Sequence, residues 1–190
     1  MFPDKIAART IDFLSKTGGD MNPFTDGTWK GLKESTKQAG IDHSIVLPIA
    51  TRPGQFHTIN EFATHFQEGT LISFGSLHPE SENYKEELRQ IQDMGMKGIK
   101  LHPDYQDTYF NDIRYKRIIS YATELGLIIS VHAGQDPKCP DNIHCTPAMA
   151  EEVLNEVEPE KLVLAHMVVM SSGVRWKSGW LGEMFILIQV

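Results

Sequence analysis

Leu127-Ile128-Ile129-Ser130-Val131-His132-Ala133-Gly134 is an apolar, β-branched run that ends on a histidine followed by small residues. Entered from Gly126, it reads as a buried strand of a parallel sheet, because such strands are covered on both faces and carry little polar alternation. The ending recurs in Gly98-Ile99-Lys100-Leu101-His102-Pro103, in Leu162-Val163-Leu164-Ala165-His166 and in Phe74-Gly75-Ser76-Leu77-His78-Pro79. In α/β folds the carboxyl ends of the strands form one rim, and chemistry is placed there. Working outward, residues 44–49 and 71–77 read as two earlier strands. Helices are expected over 4–16, from a cap at Thr25 or Asp26 to Ala39, and over 60–66, 81–94, 112–125 and 147–157. Strands alternating with amphipathic helices at a spacing of about 27–30 residues mean right-handed βαβ units. No strand is followed by the glycine-rich turn of a dinucleotide or P-loop fold. The expected fold class is therefore α/β, a partial (β/α)8 TIM barrel with parallel strands, about five of them present. A full barrel takes about 250 residues, and this chain has 190.

The composition narrows the function. With 41% hydrophobic and 23% charged residues the chain is an ordinary globular one. A net charge of −7, with the cations spread thinly, argues against a nucleic-acid surface. No stretch approaches the roughly 20 apolar residues of a membrane span, and the first residues lack the apolar centre of a signal peptide. Cys139 and Cys145 form no disulfide framework, so a cytoplasmic location is expected. A small-molecule substrate is the expected partner, and a homo-oligomer is left open.

Histidines in phase on successive strand ends suit a divalent metal, which binds neutral imidazole and carboxylate and makes water a nucleophile near neutral pH. A lone strand-end histidine is more often a buried structural group. Several in phase turn the reading toward function for His132 and His166, and toward a pocket-lining place for His102. His78, followed by Pro79, suits a turn equally well. His43, His57 and His65 carry no such signal. Lys100 shares a strand face with His102. It reads as a substrate-carboxylate anchor, as a carbamylated metal bridge, or as a lysine paired with an acidic neighbour. Asp104 and Asp136 lie in loops past strand ends and read as caps or substrate contacts. Arg52, Tyr105 and Gln106 are loop residues expected to set substrate choice. Cys139, His144 and Cys145 form only a weak zinc pattern.

The motifs at 98–103, 130–134 and 162–167 resemble the amidohydrolase-related metal-dependent hydrolases. These are TIM-barrel enzymes of the amidohydrolase superfamily, in the branch that also holds decarboxylases of aromatic or muconate-type acids. The resemblance covers about residues 1–167. It implies that His132 is a metal ligand. It implies that His166 is a second ligand or the imidazole that orients the attacking water, and that His102 lines the same pocket. The implied cofactor is a divalent metal, zinc in the first place, though the donors also suit manganese or iron. The implied reaction is attack of metal-activated water on a C–N or C–O bond. Non-oxidative decarboxylation on the same scaffold is the alternative, and an inactive fragment is a third.

Both ends depart from the family pattern. The family opens with a strand ending His-x-His shortly before a Phe-Pro pair. Here Phe2-Pro3 follows Met1, so that strand is expected upstream of residue 1. The metal-binding aspartate of the family's last strand has no counterpart after His166. The family continues Gly-Gly where this chain has Val168-Val169. One G restored after the Met167 codon, with permitted codons, turns the tail into Gly-Gly-Asn-Glu-Leu-Trp-Gly-Glu-Val-Glu-Glu-Trp, an acidic amphipathic helix. The expected organisation is a barrel domain over 1–167 and a frame-shifted, aberrant tail over 168–190. Such a chain is expected to hold metal weakly and to be little active.

Overall fold

The computed structural model describes residues 1–17, 22–67, 69–136, 139 and 141–165. Two helices, α1 (Asp4–Thr17) and α2 (Trp29–Gln38), precede the alternating part. That part runs β1 (Ser44–Val46), α3 (Phe56–Thr64), β2 (Leu71–Ser73), α4 (Tyr84–Asp93), β3 (Gly98–Leu101), α5 (Ile113–Glu124), β4 (Ile128–His132), α6 (Pro147–Val157) and β5 (Leu162–Ala165). The expected α/β class and its parallel strands are what the structure shows, as a partial barrel of five strands. The proposed tail, 168–190, lies outside the described residues. Among the described residues no helix is long and apolar enough to cross a membrane.

β1 pairs β2, and β3 pairs β4, which pairs β5, all in parallel. The two ladders meet at the bridge Gly75–Ile99, where Gly75 N–H donates to the Gly98 carbonyl at 2.8 Å and Lys100 N–H to the Gly75 carbonyl at 2.8 Å. Both glycines are needed for this approach. A Cβ at Gly98 would lie 2.4 Å from the Ile128 carbonyl oxygen, and one at Gly75 would lie 2.7 Å from the Ile91 side chain.

Alternation along the strands separates two chemistries. Ile99, Leu101, Ile129, Val131, Leu162 and Leu164 turn toward the helices and join Ile118, Ile119, Ala122, Val153 and Leu154 in the core. Burial of each such side chain stabilises by about 1.5–3 kcal/mol, so this layer holds the sheet. The other face carries a row in register, Lys100, Ser130 and Val163, with His132 beside Ala165 one pleat further on.

The boundaries differ from expectation where a side chain is used otherwise than its type suggests. β1 stops at Val46 because Pro48 has no N–H for a ladder. β2 stops at Ser73 because Phe74 and Gly75 pass from β1 to β3, Phe74 N–H donating to the Val46 carbonyl. α3 begins at Phe56 and not at Asn60. Asn60, the expected first residue, is buried within the helix: its amide donates to the Phe56 and Ser76 carbonyls and accepts from Ser76 N–H. α2 is capped by Thr28, not by Thr25 or Asp26, through the Gly31 N–H. Thr146 caps α6 through the Met149 N–H, and Asp112 caps α5 through the Arg114 N–H.

Candidate metal centre

His132 is the last residue of β4 and His102 the first after β3. Their rings lie stacked, 4.1 Å between centroids and 7° between planes, and Tyr105 stacks on the other side of His102 at 3.9 Å. After β4 the chain turns at Gly134, whose φ of 103° is open to glycine. That turn brings Asp136, four residues beyond His132, back over the strand end. Its Oδ2 lies 3.7 Å from His132 Nε2 and 3.8 Å from His102 Nε2. The three residues are buried, and one donor atom from each lies within 4.8 Å of the others. Among the described residues this is the group of His, Cys, Asp or Glu arranged to hold an ion.

The donor set fits a divalent cation. Bonds of about 2.0–2.2 Å in a tetrahedral site place donors about 3.4 Å apart. The His132–Asp136 and His102–Asp136 separations are a few tenths wider. Two imidazoles and a carboxylate at the ends of adjacent rigid strands can close on an ion by side-chain rotation alone.

Lys100 sits below this group on the same face, 5% exposed. No carboxylate among the described residues lies within ion-pair distance of it, so the expectation of an acidic partner is not met. Burial lowers its pKa from 10.5 to about 8. Beside it across the ladder, the buried Ser130 hydroxyl has no hydrogen-bond partner among the described residues.

Gln106 is not a substrate contact. It is 2% exposed and fully engaged. Its Oε1 accepts from His102 N–H and the Tyr115 hydroxyl, and its Nε2 donates to the Ala50 and Leu77 carbonyls, at 2.7–3.0 Å. It ties the loops after three strands together and sets the height of His102. Arg52 is exposed. Tyr105 flanks the site, its hydroxyl pKa raised by burial and by Asp136, Cys139 and Asp104.

His78 belongs to a turn: its Nδ1 accepts from Glu80 N–H at 3.2 Å, five residues past the end of β2. His43, His57 and His65 are exposed. Cys139, His144 and Cys145 form no metal group among the described residues. Cys145 is wholly buried in the core, its thiol pKa pushed up by burial, and His144 is engaged by Asp104 at 3.1 Å. His166 follows Ala165 directly but lies outside the described residues. From sequence alone Asp136 reads as a cap or substrate contact. Its signal was the fourth place after a strand-end histidine, behind a glycine able to reverse the chain.

The chain belongs to the amidohydrolase family, whose sequence model matches residues 26–184. No curated protein is detectably similar. Among solved structures, one described as amidohydrolase II is 12% identical, with 85% of this chain and 64% of that chain covered and a TM-score of 0.63. The 5-carboxyvanillate decarboxylase of Sphingomonas paucimobilis is 14% identical, with 75% and 52% covered and a TM-score of 0.55. The 5-carboxyvanillate decarboxylase of Novosphingobium aromaticivorans, described with bound manganese, is 16% identical, with 72% and 49% covered and a TM-score of 0.55. The chain spans about half the length of these decarboxylases, and at these identities the likeness shows the fold.

Proposed function

We propose that this amidohydrolase-family domain is a metal-dependent hydrolase of a small molecule, with His132, Asp136 and His102 holding one divalent cation. The observation that supports it most is the buried His102–His132–Asp136 group at the ends of two adjacent parallel strands. When bound, the cation supplies Lewis acidity, which polarises an oxygen and makes water a nucleophile near neutral pH. Tyr105 covers the outer face of His102. The rings stack nearly parallel, so at least one must turn about its Cβ–Cγ bond to bring both ring nitrogens onto one ion. His166, carried over from the family resemblance, is proposed as a further ligand or as the imidazole that orients the attacking water. Zinc is the first choice of metal, and manganese suits the same donors.

Lys100 supplies a buried cation without an anion among the described residues, and Ser130 a hydroxyl beside it. That pair favours a substrate carrying a carboxylate. It also supports the second reading, loss of CO2 from such an acid on the same scaffold. Zinc- or manganese-loaded protein assayed on a panel of lactones, amides and aromatic acids separates the two. Metal-dependent cleavage without CO2 release supports hydrolysis, CO2 release supports the second reading, and no turnover with either metal supports the inactive fragment.

The domain organisation proposed with this is a barrel domain over 1–167 and an aberrant tail over 168–190. The family match runs to residue 184, so sequencing the coding DNA decides between a shifted frame and a divergent family helix. A cytoplasmic location and self-association belong to the same proposal, to be read from fractionation and from sedimentation.

A further inference from the structure

We propose that Asp104 is a second cation-facing carboxylate of this site, and that His144 is the residue that positions it. The inference rests on the metal reading above and adds to it a residue outside the His102–His132–Asp136 group.

The Asp104 side chain is fully enclosed, 0% exposed. Its two oxygens have different surroundings. Oδ1 lies 3.1 Å from His144 Nδ1 and 3.4 Å from His144 N–H. An ionised carboxylate only accepts, so His144 donates from both its ring and its backbone. Oδ2 has no hydrogen-bond donor among the described residues, and lies 3.8 Å from His132 Nε2, on the edge of the proposed cation site. A buried carboxylate oxygen without a donor loses its hydration with no compensation, and a cation beside it makes up that loss.

His144 is well placed to hold this orientation. It is 4% exposed, and Tyr109 stacks on its ring at 4.9 Å. Its Nε2 lies 3.3 Å from the Asn142 amide nitrogen and 3.4 Å from the exposed Asp107 carboxylate. The ring is therefore fixed on one edge from the surface and presents the other edge to Asp104. Such outer partners orient a ligating group and are usually worth about 10–100-fold in metal affinity.

Charge points the same way. A dication held by two neutral imidazoles and Asp136 alone leaves one net positive charge in a buried place, which low dielectric penalises. Asp104 brings the sum to zero. Two imidazoles and two carboxylates also form an oxygen-richer set, which raises the standing of manganese against zinc.

The test is titration of the full, metal-stripped chain with Mn(II) by calorimetry and with Co(II) by visible absorption. Asp104→Asn keeps the shape and the contact with His144 but loses the charge. It is expected to weaken Mn(II) binding about 10–100-fold and to change the Co(II) spectrum. His144→Gln is expected to weaken Mn(II) binding about 10-fold. An Asp104→Asn protein within twofold of wild type, with an unchanged Co(II) spectrum, overturns the assignment while Asp136→Asn still abolishes binding and the triad stands. Absence of Mn(II) and Co(II) uptake by the wild type overturns the triad and Asp104 together. Should Asp104→Asn lose its cooperative melt, His144→Gln decides, and an unchanged affinity there overturns the proposal.

Discussion

Replacing Gln106 with leucine removes four hydrogen bonds at one stroke while leaving the volume nearly unchanged. The partners are His102 N–H, the Tyr115 hydroxyl, and the carbonyls of Ala50 and Leu77. Gln106 and Tyr115 are buried, so water cannot simply take the place of the amide. At about 1 kcal/mol net for each bond the loss is about 4 kcal/mol. For a domain of this size each kcal/mol lowers Tm by about 2–4 °C, so Gln106→Leu should lower Tm by about 10 °C. Tyr115→Phe removes one of the four bonds and should cost about 1 kcal/mol. Because both changes remove the Tyr115–Gln106 bond, the double variant should be less destabilised than the sum by about 1 kcal/mol. Thermal and urea denaturation followed by circular dichroism measure all three variants. A Gln106→Leu protein melting within about 2 °C of wild type, or full additivity in the cycle, would refute the role of Gln106 as the tie between the loops.

Other changes test the frame of the site. Gly98→Ala places a methyl group 2.4 Å from the Ile128 carbonyl oxygen and should cost about 2–3 kcal/mol, read as a shifted urea midpoint. Glu158 ends α6 in the left-handed region at φ 49°. Glu158→Gly should raise stability by about 1 kcal/mol, visible as a higher Tm. Asp112 caps α5, and hydrogen bonds from the Arg114 side chain lower its pKa from 3.8 to about 2. A lowered folded pKa means its contribution is complete above about pH 4 and is lost as pH falls toward 2. Solvent screening reduces that contribution to about 1 kcal/mol. Asp112→Asn should flatten the stability profile over that window, and an unchanged slope would count against the pairing.

The strand ends were readable because burial on both faces writes itself as continuous apolar sequence, and a histidine interrupting it stands out. His102 and His132 were reached in that way, and so was the parallel order of strands. What stayed hidden depends on where loops return in space. Asp136 and Asp104 are ordinary loop acids by type, and only the turn at Gly134 and the grip of His144 aim them at His132. Asn60 and Gln106 misled for a related reason. Long-range partners, 16 and up to 56 residues away, used amides that the sequence places at a helix start and in a substrate-facing loop. Lys100 was legible as a buried cation, but that no carboxylate among the described residues reaches it depends on how the inner face is assembled.

In the proposed function His102, His132 and Asp136 together hold one divalent cation. Calorimetric titration of the metal-stripped chain with Mn(II) or Zn(II), repeated on His132→Asn and on Asp136→Asn, tests it most directly. One ion per wild-type chain, with affinity reduced at least about 100-fold in either variant while the cooperative melt of the metal-free protein is kept, is the result predicted. A wild type that binds neither ion, or variants that bind as tightly as it does, would contradict the claim.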